Sequence, residues 1–130
     1  MNGVAKTQIY KDEFKFILGG RGSGVRRVVV ISAFIEGQIL SLAKKYLKEH
    51  GVKYKPKPGQ EYHQSLNILE VNGELSPDEL KEIRDFRPER NKAIHNIFKG
   101  FNRKEWERQN KQVIDLGRPI VEKLDKKLFP

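Results

Sequence analysis

No cysteine occurs among the 130 residues. That absence excludes disulfides, thiolate nucleophiles and cysteine-bound zinc, and it suits a reducing, cytoplasmic setting. His50, His63 and His95 are all the imidazole the chain has. Neither a His-Glu-x-x-His stretch nor a dense carboxylate cluster accompanies them, so a metal hydrolase has little to build on, and no metal or other cofactor is expected. The serines (Ser23, Ser32, Ser41, Ser65 and Ser76) lack the context of a nucleophile elbow. Long apolar runs are missing too. Val28 to Ile31 with Ala33 to Ile35 is too short and interrupted to span a bilayer. Met1 to Tyr10 has no apolar stretch of the signal-peptide kind. No membrane partner is expected.

Positive charge, by contrast, is plentiful. Lysine and arginine number 26 against 17 acidic residues, a net charge of +9. Such an excess favours polyanions, nucleic acid first and an anionic membrane second. A solvated basic surface that only keeps the protein in solution accounts for the same count. Apolar residues make up 37% of the chain and recur in clusters along it, which speaks against a disordered composition. The length suits a single domain over residues 1–130, with residues 1–24 forming an N-terminal helix and a glycine-rich turn.

Periodicity predicts helices throughout. Ile9, Tyr10, Phe14, Ile17 and Leu18 mark a short amphipathic one. Gly19 to Gly24, four glycines in six residues, breaks it. This is not a phosphate-binding P-loop, because Val25-Arg26-Arg27 follows where Lys and Ser or Thr are needed. A long helix runs from Val25 to Glu49, with Val29, Ala33, Glu36, Leu40, Ala43 and Leu47 as its repeating line, Ser23 as N-cap and Gly51 as left-handed stop. Glu36 is the odd member of that line. It either lies at the edge of the stripe or meets a cation, since a lone buried carboxylate is costly. Lys53 to Gly59 reads as a solvated loop, with nucleic-acid contact through its lysines and Tyr54 as the other reading. Gln60 to Glu70 is helical with Tyr62, Leu66 and Leu69 on one face, ended by Val71-Asn72-Gly73. Ser76-Pro77-Asp78-Glu79 has the form of a capping box with proline at the first helical position. Pro88 is expected to break or kink that helix and to restart it, so that Arg90 falls in a first turn and Gly100 closes the segment. A last helix from Arg103 to Leu128 carries Trp106, Val113, Leu116, Ile120, Leu124 and Leu128, bent at Pro119.

Within this frame the chemistry concentrates in Arg90, Asn91 and His95. Asn91 and His95 are four residues apart and share a helix face, while Arg90 is about 140° around the axis from His95 and flanks it. The set suits RNA cleavage by the 2′-hydroxyl. His titrates near neutrality and moves protons. Arg binds phosphate oxygens in fork geometry, and Asn orients. A single His does not readily serve as base and acid at once, and a two-fold dimer supplies the second. The spacing alone equally describes an exposed helix with an incidental His, or a core His satisfied by hydrogen bonds.

Arg90-Asn91-Lys92-Ala93-Ile94-His95, with the long Glu36-bearing helix, the Ser76-capped helix and the closing helix, resembles the HEPN superfamily over most of the chain. The resemblance implies an all-α bundle of four to six helices with two long antiparallel ones. It also implies a homodimer whose motifs face each other and metal-independent endoribonuclease activity, with the acidic Glu36 supporting the catalytic Arg90, Asn91 and His95. Arg26, Arg27, Arg103, Lys104, Arg108 and Lys111 would attract the RNA backbone, making binding salt dependent. A toxin or defence role, with an antitoxin or other protein partner, follows from family habit. Ile97 stands where relatives paired with a nucleotidyltransferase antitoxin carry tyrosine, which departs from that form of control. The alternative is a non-catalytic RNA-binding or protein-interaction module of the same fold.

Overall fold

The computed structural model describes residues 6–19, 24–99 and 102–130, with the backbone alone at Phe98. Polar side chains write most helix starts. Thr7 Oγ1 accepts from the Tyr10 amide (3.1 Å) and opens α1, Gln8–Leu18. Ser76 Oγ accepts from the Glu79 amide (3.1 Å) while Glu79 Oε1 accepts from the Ser76 amide (2.8 Å), and this reciprocal box opens α4, Pro77–His95. Asn102 Oδ1 accepts from the Glu105 amide (2.9 Å) and opens α5, Arg103–Leu128. Each such cap satisfies an amide the helix cannot, an effect of about 1 kcal/mol. Between these lie α2, Val25–Glu49, and α3, Glu61–Val71, and a 3-10 turn, Asn96–Phe98, follows α4. The N-cap of α2 is Gly24. The expected cap Ser23, Arg21 and the closing Gly100 lie outside the described residues. Gly51, with φ of 71°, ends α2 as expected, and Gly73, with φ of 69°, follows α3. No strand and no helix long and apolar enough to cross a membrane occur among the described residues.

Pairwise contacts fix the directions. Tyr10 meets Gln38 and Asp125, whereas Ile17 meets Arg27 and Arg118. Hence α1 runs against both α2 and α5. Gln38 Nε2 donates to the Val121 carbonyl (3.0 Å) and Lys45 Nζ to that of Lys127 (3.2 Å), so α2 and α5 run parallel. Glu79 pairs with Lys127, Glu82 with Lys123 and Asn96 with Gln109, so α4 runs against α5. The expected antiparallel pairing of long helices is therefore made by α4 with α5, not by α2 with α5, the two longest. The segment after Gly51 carries the chain back along α2, so that Tyr62 at the start of α3 faces Glu36 and Asn72 beyond its end bonds Tyr46, and α3 also runs parallel to α2.

The core runs along α2 through Val28, Ile31, Ile35, Ile39 and Leu42 and meets Val113, Ile114, Ile120, Val121 and Leu124 of α5. Both stripes differ from expectation. On α2 the buried line is rotated by one residue, leaving Val29 48% exposed and Ala33 at the surface. Val28 to Ile31 is apolar on all sides, so i, i+3, i+4 spacing fits two registers and the partner helix decides. On α5 Leu116 is exposed and Gly117 is the buried contact. A Cβ on Gly117 would meet Ile31 Cγ2 at 2.5 Å and Phe86 Cε1 at 2.8 Å, so the missing side chain lets α2 and α4 close on α5.

Pro88 does not break α4, which continues from Pro77 to His95. Pro88 has no amide to offer the Arg84 carbonyl, and both residues are exposed. Ile83 and Phe86 before it and Ala93 after it are all buried. An interior proline costs about 3 kcal/mol, and burial of each large apolar side chain contributes about 1.5–3 kcal/mol, so the anchored helix passes through. α5 likewise continues past Pro119, which is exposed.

Candidate active site

The continuous α4 moves Arg90 from a first turn to the fourteenth of nineteen helical residues. Arg84, Arg87, Asn91 and His95 then form one strip, at spacings of three and four residues, along the outer side of α4. Asn91 and His95 are exposed, and neither side chain has a hydrogen-bond partner among the described residues. Arg90 is rotated inward and half-buried. Its Nε is buried without an acceptor, and no carboxylate pairs with it among the described residues. Leaving such a donor unmet is costly for a charged group. This is the position the sequence motif assigns to a phosphate clamp.

Glu36 stands at the edge of the α2 stripe, half-buried. It forms no ion pair with Arg90, so the alternative of a paired buried carboxylate is not realised. Both groups instead act on Tyr62 of α3. Burial raises the Tyr62 phenol above its ordinary value of 10.0, Arg87 pulls it down, Glu36 pushes it up, and Arg90 and Arg84 pull it down. The three helices α2, α3 and α4 thus converge on one ring.

Of the six basic residues expected to attract RNA, five are at the surface and one is not. Arg26, Arg103, Lys104, Arg108 and Lys111 are exposed. Lys104, Arg108 and Lys111 share a side of α5 by their spacing, in the half of α5 that lies beside the end of α4, where Asn96 donates to Gln109. Arg103 pairs with Glu107 at 3.1 Å, an exposed contact of little energetic weight. Arg27 is only 9% exposed. Its Nη1 donates to the carbonyls of Phe16 and Ile17, and its guanidinium lies 4.4 Å from the Phe16 ring. Arg118 Nε adds a bond to Ile17 O at 3.1 Å. These arginines satisfy carbonyls that the end of α1 leaves open. Burial, with Arg118 nearby, lowers the Arg27 pKa. Arg27 is a structural residue, and charge counting alone could not separate it from Arg26.

Sequence reasoning missed the cleft beside the motif. Between α3 and α4 a recess of about 500 Å³ is lined by Tyr62, His63, Asn67, Arg87, Pro88 and Asn91, among others. The Arg87 guanidinium lies 4.8 Å from the Tyr62 ring centroid, and its Nη1 is 3.5 Å from His63 Nε2. The one sequence signal was the adjacent Tyr62-His63 pair, and its pairing with Arg87 spans 24 residues, beyond any local pattern. No group of three or more side chains suited to hold a metal ion is found among the described residues. No family model, curated protein or solved structure matches the chain.

Proposed function

We propose that this protein is a metal-independent endoribonuclease of the HEPN type, acting as a two-fold dimer. The observation that carries the reading is Arg90, a half-buried cation without a counter-ion among the described residues, adjacent in the helix to the exposed Asn91 and His95. In the proposed reaction a histidine takes the proton of an RNA 2′-hydroxyl. The freed oxygen attacks the adjacent phosphorus, and the bond to the 5′-oxygen breaks. A second histidine donates a proton to that leaving oxygen, so the products are a 2′,3′-cyclic phosphate and a 5′-hydroxyl. His95 of each protomer fills one of these roles. Arg90 holds the crowded phosphate, Asn91 orients it, and Glu36 supports the cationic surroundings through Tyr62. The toxin or defence setting, and a protein antitoxin as partner, rest on the family resemblance alone.

The test is cleavage of labelled single-stranded RNA in EDTA. His95→Ala is expected to lower the rate roughly 10²–10⁴-fold, the usual range for a lost acid or base, and Arg90→Ala comparably. Cleavage that survives both changes sinks the site assignment. Sedimentation over a dilution series tests the dimer, and a fully active monomer would remove the two-histidine scheme. A second reading, a binding module without catalysis, is favoured by one observation. His95 has no hydrogen bond among the described residues to fix its ring, which an acid–base histidine ordinarily has. Tight RNA binding with no cleavage by the wild type would select it.

A further inference from the structure

We infer that the α3–α4 cleft holds the base of an unpaired nucleotide, stacked on the Arg87 guanidinium. The inference deepens the RNA reading above and rests on it for the class of ligand. Arg84 is already matched by Glu70 at 2.6 Å. Arg87 has no carboxylate partner among the described residues; its guanidinium covers the Tyr62 ring at 4.8 Å and leans on His63. The cleft therefore carries one positive charge in excess, presented as a flat plane backed by an aromatic ring. Unpaired bases stack on such guanidinium and aromatic planes. Leu66, Ile83 and Pro88 give the recess apolar walls, which suit a base better than a bare phosphate. The amides of Asn67 and Asn91 are exposed and have no partner among the described residues, so donors and acceptors are free for a base edge. A recess of about 500 Å³ falls within the range of about 300–1,000 Å³ that small ligands occupy. Asn91 belongs to both the cleft and the strip leading to His95. Arg87 and His95 are eight residues apart, about 12 Å along the helix at 1.5 Å per residue. A base seated on Arg87 thus places a neighbouring phosphate of its strand, rather than its own, toward His95.

The experiment is a titration of isotope-labelled His95→Ala protein, followed by amide and arginine side-chain resonances, with adenosine 5′-monophosphate in one arm and a ten-nucleotide oligoadenylate RNA in the other. The His95→Ala background prevents cleavage if the enzymatic reading holds. If that reading fails, the cleft is still assayed by binding. Shifts centred on residues 62–67 and 84–91 are expected with the oligonucleotide. Shifts there with the mononucleotide as well assign a pocket for a free nucleotide, and shifts with the oligonucleotide alone assign a strand-binding cleft. Shifts confined to α5 in both arms overturn the proposal. Tyr62→Leu and Arg87→Ala should weaken oligonucleotide binding roughly 5- to 100-fold, the effect of losing a stacked base. Because Tyr62 packs against the core, the exposed Asn67→Ala serves as a second variant that leaves the fold intact. It is expected to weaken binding severalfold, and unchanged affinity in Asn67→Ala together with Arg87→Ala contradicts the assignment.

Discussion

Around α1, most polar groups are tied to one another, with Gln38 Oε1 the exception; along the second half of α4, where Lys92 meets Glu89 at 3.3 Å, several are not. Tyr10 donates to Asp125 (2.9 Å) and accepts from Gln38 (3.0 Å), Asp125 meets Lys6 at 3.2 Å, and Arg27 and Arg118 share the carbonyls at the end of α1. Burial, opposed by Gln38 and joined by Asp125, pushes the Tyr10 phenol well above its ordinary value. On the α4 side, Arg90 Nε, Trp106 Nε1 and both amide atoms of Asn110 are buried without partners among the described residues, and Asn91 and His95 face solvent with none. The two regions use the same residue types, arginine and amide, to different ends. In one, charge and hydrogen bonds close the bundle. In the other, buried polar atoms are left without a protein partner among the described residues, at a cost in stability; for Arg90, the proposed phosphate contact would supply one.

The sharpest way to break this comparison is to remove the same residue type from each side. Arg90→Ala is expected to reduce RNA cleavage roughly 10²–10³-fold while changing unfolding free energy in urea by no more than about 1 kcal/mol, because no described partner is stranded. Arg27→Ala should do the reverse. It removes charged hydrogen bonds to buried carbonyls, at about 2–3 kcal/mol, and leaves the activity of the folded fraction unchanged. Equal stability losses would erase the distinction. Asn110→Leu exchanges an unpartnered buried amide for an apolar side chain of similar size and should raise stability by about 1 kcal/mol in the same assay. A loss there would mean that the amide has a partner.

The smallest effect concerns the well-paired start of α4, against which its second half is set. Burial works to raise the Glu79 pKa, but the Ser76 amide, Lys127 and the Ser76 hydroxyl outweigh it, so the carboxylate lies below its ordinary 4.5. A depressed carboxylate stabilises the fold above its unfolded-state pKa, and the contribution is lost as pH falls through the folded-state value. The wild type should therefore lose stability below about pH 4.5 relative to Glu79→Gln, whose unfolding free energy lacks this increment of the acid slope. Parallel pH profiles would remove Glu79 from the account.

Features written in adjacent residues were legible in the sequence. Ser76 and Glu79 are three apart, and their reciprocal cap formed as expected. The all-α class, the start of α4 near Ser76 and the end of α5 near Leu128 follow from the same kind of local pattern, whereas the break expected at Pro88 would have split α4 in two. What failed depends on partners distant in the chain. The register of α2 needed Gly117, more than eighty residues away, to choose between two apolar faces. Pro88 obeyed the buried Phe86 and Ala93 rather than its own backbone preference. Arg27 looked like its neighbour Arg26 until the end of α1 claimed it. Arg90, Asn91 and His95 were legible as a motif, but the cleft beside them exists only because α3 and α4 pack side by side.

The most direct measurement offers the protein two strands of one sequence in EDTA, one of RNA and one fully 2′-deoxy, and identifies the ends produced. Cleavage of the RNA alone, leaving 2′,3′-cyclic phosphate and 5′-hydroxyl ends and abolished in His95→Ala, is the predicted result. Cutting of both strands, or RNA cutting that His95→Ala retains in full, would contradict the account.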